Sequence, residues 1–137
     1  MIRFRMFRIT VPQFAILEDE LIGSGVTYET KFQLKYSLES KSIGVSLYLS
    51  SFSEEKKRLA VLEVFCEFSI HPDDWKSCKD NGVLRISKDD IPAFIAQTIG
   101  VARGIYHCRT EGTYLNGYVL PPINAVEMVK EDLIINL

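Results

Sequence analysis

The sequence predicts an α+β domain, a four-stranded antiparallel sheet with two helices packed on one face, and three observations carry that expectation. Apolar and polar residues alternate strictly from Val26 to Leu38 and again from Ile43 to Ser50. The apolar period lengthens to that of a helix after Ser87. Strand-like segments all precede helix-like ones instead of alternating with them, which argues against a parallel sheet and for helices laid on an antiparallel one.

The first strand lies between Ile2 and Leu17. Its alternation breaks at Met6-Phe7 and at Pro12, so it needs a bulge or an edge position. In the second, Val26, Tyr28, Thr30, Phe32, Leu34, Tyr36 and Leu38 share one side and Thr27, Glu29, Lys31, Gln33, Lys35 and Ser37 the other. A period of two over this length means a half-buried strand with its polar side to water. After a turn at Glu39 to Lys41, Ile43, Val45, Leu47 and Leu49 point inward and Ser42, Gly44, Ser46, Tyr48 and Ser50 outward, completing a hairpin. The polar run Ser51 to Lys57 turns the chain into a last strand, with Ala60, Leu62, Val64, Cys66, Phe68 and Ile70 on its apolar face and a mixed opposite face.

Ser87 and Asp90 read as an N-terminal helix box. Pro92 falls in the first turn, and Ile91, Phe94, Ile95, Thr98, Ile99, Ala102, Ile105 and Tyr106 follow at helical spacing, which predicts a helix from about Lys88 to about Arg109. Thr113 to Val119 reads as an exposed, extended, aromatic-bearing connection ended by Pro121-Pro122. A short helix over Ala125 to Lys130 closes the pattern, and the apolar end Leu133 to Leu137 is expected to fray or to pack on a partner. A chain of 137 residues without repeats or an interdomain linker is read as one domain, residues 1–137.

Composition narrows the function classes. A net charge of -2, with basic residues scattered among acidic ones, offers no continuous basic field for nucleic acid. Met1 to Val11 mixes Arg3, Arg5 and Arg8 with apolar residues and has no uninterrupted apolar run for a signal or membrane helix, so the expected location is the cytosol. Cys66, Cys78 and Cys108 are odd in number and irregularly spaced, which suits reduced, buried thiols better than a disulfide framework.

The residues able to carry chemistry do not form a recognisable constellation. His71, Cys78, His107 and Cys108 are the zinc candidates, yet the adjacent pair on a helix points about 100° apart, so a core thiol and a surface histidine are expected and no metal or other cofactor. Asp73-Asp74, Asp89-Asp90 and Glu18-Asp19-Glu20 sit at turns or helix starts, where solvation or the helix dipole accounts for them. Phosphate-binding loops, dinucleotide fingerprints and nucleophile elbows are absent, and the chain is read as a binding protein, not an enzyme. Gly100 and Gly104 each cost about 1 kcal/mol relative to alanine inside a helix unless close packing uses the missing side chain. That packing is either within the monomer or a subunit contact.

The segments Ile91-Pro92-Ala93-Phe94-Ile95, Ala102-Arg103, Gly112-Thr113-Tyr114 and Leu120-Pro121-Pro122-Ile123-Asn124, with the strand end Glu67-Phe68-Ser69-Ile70, resemble the SecB family of protein-export chaperones. Specific matches cover about the C-terminal half of the chain; Phe4 to Leu49 is similar in strand pattern only. The resemblance implies four antiparallel strands carrying two helices, assembled as a dimer of dimers. It also implies a holdase that keeps client chains unfolded, without ATP, in apolar grooves.

On that resemblance the expected client-binding residues are Phe65, Phe68, Trp75, Val83, Tyr114, Leu115 and Tyr118 in a homodimer or homotetramer, and the spacing of Gly100 and Gly104 offers an oligomer contact. Export chaperones of this kind dock on the SecA translocase through a strongly acidic outer sheet face. Here Glu29, Glu63 and Glu67 are the candidate docking residues, but Lys31 and Lys35 share that face, and the mixed sign speaks against this partner. The family also includes chaperones dedicated to the antitoxin of a toxin–antitoxin pair. The competing readings are an adaptor for one folded partner and, from another class, a small-molecule enzyme on the same scaffold.

Overall fold

A computed structural model describes residues 1–20, 23 and 25–137. Strands β1 (Phe4–Ile16), β2 (Val26–Ser37), β3 (Ser42–Ser53) and β4 (Arg58–Ile70) form an antiparallel sheet in the order β1-β4-β3-β2. The expected α+β class, with a four-stranded antiparallel sheet and helices packed on it, is what the chain adopts. β1 lies at an edge beside β4, and its register slips between Met6 and Arg8 and between Thr10 and Gln13. Those are the two places where the alternation breaks. Pro12, which cannot donate to a ladder, is accommodated there at the edge.

Pairing carries the alternation across the sheet. One inner row runs Leu34, Val45, Cys66, Ile9, and the outer row beside it runs Lys35, Gly44, Glu67 toward Arg8. Helix α2 (Ile91–Arg109) crosses the inner face over β3 and β4 and buries Phe94, Ile95, Thr98, Ala102 and Tyr106. The Phe94 ring lies 5.2 Å from that of Phe68 and 4.4 Å from that of Phe4, an aromatic seam that locks the helix to the sheet. Thr98 satisfies its buried hydroxyl by donating to the Phe94 carbonyl at 2.9 Å.

Several expectations are corrected. The outward residues of β3 do not all meet water: Ser42 and Ser46 are buried, because β3 is central and its neighbours' long side chains lean over it. The start of α2 is not a capping box. Asp90 is the N-cap without a side-chain cap bond, and Ser87 Oγ instead accepts from the Asp89 amide at 3.1 Å. The stretch between β4 and α2, for which the sequence pattern predicts no element, folds as helix α1 (Pro72–Ser77) and a hairpin, β5 (Lys79–Asp80) with β6 (Val83–Ile86). Its turn is Asn81-Gly82 with φ of 50° and 75°, the pair of positive angles that Asn-Gly supplies in a two-residue hairpin.

The apolar C-terminal end neither frays nor waits for a partner. Residues 133–136 form β7 (Leu133–Asn136), which pairs with β6 and buries Ile135. The free edge of the hairpin satisfies its backbone, and Ile135 fills the space beside Leu84. Helix α3 (Ala125–Met128) is shorter than expected and is capped by Asn124, whose Oδ1 accepts from the Val126 amide at 3.0 Å. Among the described residues no helix is long and apolar enough to cross a membrane.

Candidate peptide-binding grooves

Helix α2 presents a flank of small residues to solvent. Ala96, Gly100 and Gly104 are exposed, and a Cβ built on either glycine would meet nothing within 4 Å. Packing inside the monomer is therefore not what these glycines serve. Beside them runs the segment 118–122, fastened at two points. Tyr28 of β2 donates its hydroxyl to the Tyr118 carbonyl at 3.2 Å, and Arg103 donates to the Leu120 carbonyl and to the Pro121 carbonyl at 3.3 Å. A groove of about 460 Å³ opens between helix and segment, lined by Gly100, Gly104, His107, Tyr118, Val119 and Leu120. Its walls are largely apolar, and Val119 stands 79% exposed at the rim.

The turn that feeds this segment is built from the residues that carry the family resemblance. Gly112 takes φ 78°, an angle that disfavours a side chain. Thr113 Oγ1 donates to the Thr110 carbonyl at 2.7 Å and accepts from the Leu115 amide at 3.3 Å. Tyr114 donates its hydroxyl across to the Glu18 carbonyl at 2.9 Å, tying the turn to the chain that follows β1. The segment read as an extended connection is thus a compact 3₁₀ turn, Tyr114–Gly117, with Leu115 wholly buried. Ala102 and Arg103 divide the work: the small residue packs at the sheet and the next one holds the groove wall.

A second groove, about 340 Å³, of mixed character, lies along the edge strand β2, where Phe32 and Leu34 meet Met128, Val129 and Leu133 beside Lys130, Glu131 and Asp132. Among the described residues β2 has no neighbour on its outer side, so its free amides and carbonyls run beside this groove.

The seven residues expected to bind clients do not form one surface. Phe68, Trp75 and Leu115 are core side chains, 0%, 2% and 0% exposed, and offer nothing to a ligand in this conformation. Phe65 and Phe68 are three apart on one strand, so the pleat sends them to opposite faces. Val83 is half-buried on β6, away from the turn. Tyr114 and Tyr118 are half-buried and close the group near the groove. Val119 and Leu120 were missed; the signal for them was their position directly before Pro121, in a chain stretch unable to continue a helix.

Burial raises the Tyr28, Tyr106 and Tyr114 hydroxyls above the ordinary tyrosine value, so all three are neutral at physiological pH. At Tyr106 the nearby Ser51 and Tyr28 hydroxyls oppose part of that effect. Burial likewise raises the thiols of Cys66 and Cys78, with Asp90 and Asp74 adding to the effect at Cys78, so both are protonated and poor nucleophiles. All three cysteines are free. Cys66 is buried and Cys78 half-buried, but Cys108 is exposed, against the expectation of buried thiols. His71, Cys78, His107 and Cys108 do not converge, and no group of three metal-ligating side chains occurs among the described residues.

On the outer sheet face Glu67 is paired with Arg8 at 3.4 Å, while Glu29 is exposed beside Lys31. Glu63 lies in the row of Tyr48 and Lys31. Lys35 Nζ sits 5.1 Å from the Phe65 ring centroid. The candidate docking carboxylates are thus interleaved with cations.

No protein-family model and no curated protein matches the chain. Among solved structures, it is similar to a SecB-like chaperone from Mycobacterium tuberculosis in complex with a ChAD peptide from an antitoxin, at 18% identity and a TM-score of 0.48 over 90% of each chain. It is also similar to a protein of unknown function from Streptococcus agalactiae, at 12% identity and a TM-score of 0.43, over 81% of this chain and 90% of that one.

Proposed function

We propose that this chain is an ATP-independent chaperone that holds extended, apolar polypeptide segments in the α2 groove. The observation that carries this reading is the open flank at Gly100 and Gly104 facing an apolar wall that Tyr28 and Arg103 hold in place. Two missing side chains on a helix cost stability, and here they leave room where a ligand's side chains fit. Burying apolar ligand surface at about 25 cal/mol per Å² gives affinity without demanding one sequence. The unpaired edge of β2, beside the second groove, adds main-chain pairing for an extended client.

In this reading Tyr118 and Val119 contact the client, with Leu120 buried beneath them and Tyr114 bracing the turn. The protein works as a homodimer or homotetramer in the cytosol, with its subunit contact outside the open flank at Gly100 and Gly104. The resemblance in the C-terminal half supports export or antitoxin protection as the setting.

A chemically denatured client diluted without ATP, with light scattering followed alongside native mass, tests the reading. Suppression at near-stoichiometric amounts by an oligomer supports it, and no suppression of several clients by a monomer overturns it. The small size of each groove, about 460 and 340 Å³, favours a second reading, in which one short segment of a dedicated partner is held. Capture of a single stoichiometric protein, with no affinity for denatured clients, selects that one.

A further inference from the structure

The end of the sheet away from the α2 groove carries a separate depression. It forms where the start of β1, the β2–β3 turn and the end of β4 meet, and it has a volume of about 430 Å³. Its floor is apolar, from Phe4, Ile70 and Pro72, and its rim carries Arg5, Lys41 and His71. The two cations differ from their neighbours in one respect. Arg3 is matched to Asp74 at 3.0 Å and Arg8 to Glu67 at 3.4 Å, whereas neither Arg5 nor Lys41 has a carboxylate in ion-pair distance among the described residues. The backbone holds both in place: Lys41 takes φ 53° and its carbonyl accepts from the Ile70 amide at 3.1 Å, and the Arg5 carbonyl accepts from Ser69 Oγ at 3.4 Å. His71 Nδ1 accepts from the Asp73 amide at 3.2 Å, which places the ring proton on Nε2 as a further donor.

Two unmatched cations over an apolar floor define a ligand by complementarity: negative charge next to an apolar group. We infer that this depression docks a polypeptide segment in which a carboxylate lies within a residue or two of an apolar side chain. The carboxylate meets Arg5 and Lys41, and the apolar side chain covers Pro72 and the open part of Phe4. A nucleic-acid backbone fits less well, since only two cations are free at the rim among the described residues, too few for the several phosphate contacts that such binding needs. The inference does not depend on the α2 groove, which lies on a different part of the molecule.

Fluorescence anisotropy of a short labelled peptide alternating Glu and Leu tests it, with a Gln–Leu peptide and an oligothymidylate of equal charge as comparisons. The Glu peptide is expected to bind at least about tenfold tighter than the Gln peptide, to weaken by a similar factor in Arg5→Gln/Lys41→Asn, and to lose affinity as salt rises. Asn suits the positive φ at position 41, and Arg5→Lys should retain most of the binding, which separates lost charge from lost fold. Gly104→Val, in the other groove, should leave this peptide unaffected. Equal binding of the Gln peptide, an unchanged affinity in the double variant, or stronger binding of the oligothymidylate overturns the inference.

Discussion

The ring of Phe65 lies across the backbone of Gly44: a Cβ built on Gly44 would stand 2.5 Å from Phe65 Cε1. Phe65 is registered with Ser46, so the ring leans diagonally along β3 to cover the glycine, and Lys35 rests its ammonium above it. Gly44→Ala should therefore cost about 1–3 kcal/mol by overpacking. Phe65→Leu should recover part of that loss in the double variant. Urea melts of the four proteins in the cycle check it; independent, additive costs would mean that the ring and the glycine are not coupled.

Gly104 is the reverse case, a helical glycine with nothing over it. Gly104→Ala should stabilise the monomer fold by about 0.5–1 kcal/mol through helix propensity alone. The bulkier Gly104→Val should block the α2 groove and reduce suppression of client aggregation while far-UV circular dichroism stays unchanged. Full suppression by the valine variant would remove the groove from the client path.

Arg103 holds the wall of that groove through the carbonyls of Leu120 and Pro121. Arg103→Met keeps the aliphatic stem and removes the donors, at an expected cost of about 1–2 kcal/mol for charge-assisted bonds that are partly open to water. Amide exchange should accelerate at Tyr118 and Val119 more than in β3. Uniform acceleration across the chain would indicate global destabilisation instead.

Asp74 takes the Arg3 guanidinium and the Arg3 amide, at 2.8 to 3.2 Å, and those bonds lower its carboxyl to about 2. A carboxylate depressed in the folded state stabilises above its ordinary value, near 3.8, and loses that contribution as pH falls through the folded value. Melting temperature should thus fall between about pH 4 and pH 2 more steeply in the natural protein than in Asp74→Asn. Parallel curves would place the acid sensitivity elsewhere, with Asp132 the next group to vary, since the Lys88 amide and Arg85 lower it too.

The three thiols should separate by exposure and burial. Cys108 is expected to react with iodoacetamide at the rate of an open thiol, Cys78 more slowly, and Cys66 only on unfolding. Mass spectrometry of the peptides over time reads the order, and early labelling of Cys66 would show that β4 opens readily.

How far the sequence was legible depends on the range of the interaction. The breaks at Met6-Phe7 and Pro12 were readable as bulges because they are local faults in a period of two. The span of α2 was readable because its apolar face repeats for 19 residues. The hairpin at Asn81-Gly82 carries a turn signal, but its strands of two and four residues are too short to show a period. For the grooves the sequence supplied Arg103 and Leu120 as residues of resembling segments but not their relation, since a guanidinium reaching a carbonyl 17 positions away leaves no periodic trace.

By itself, then, the sequence determined which side of each strand and helix is apolar, because side-chain direction follows from backbone period, a property of adjacent residues. Tertiary structure decided what each apolar side meets. It buried Phe68, Trp75 and Leu115 in the core, left Gly104 open to solvent, and drew Leu133–Asn136 onto β6. Burial and pairing depend on residues distant in the chain, and a local pattern says that a face must be covered without saying by what.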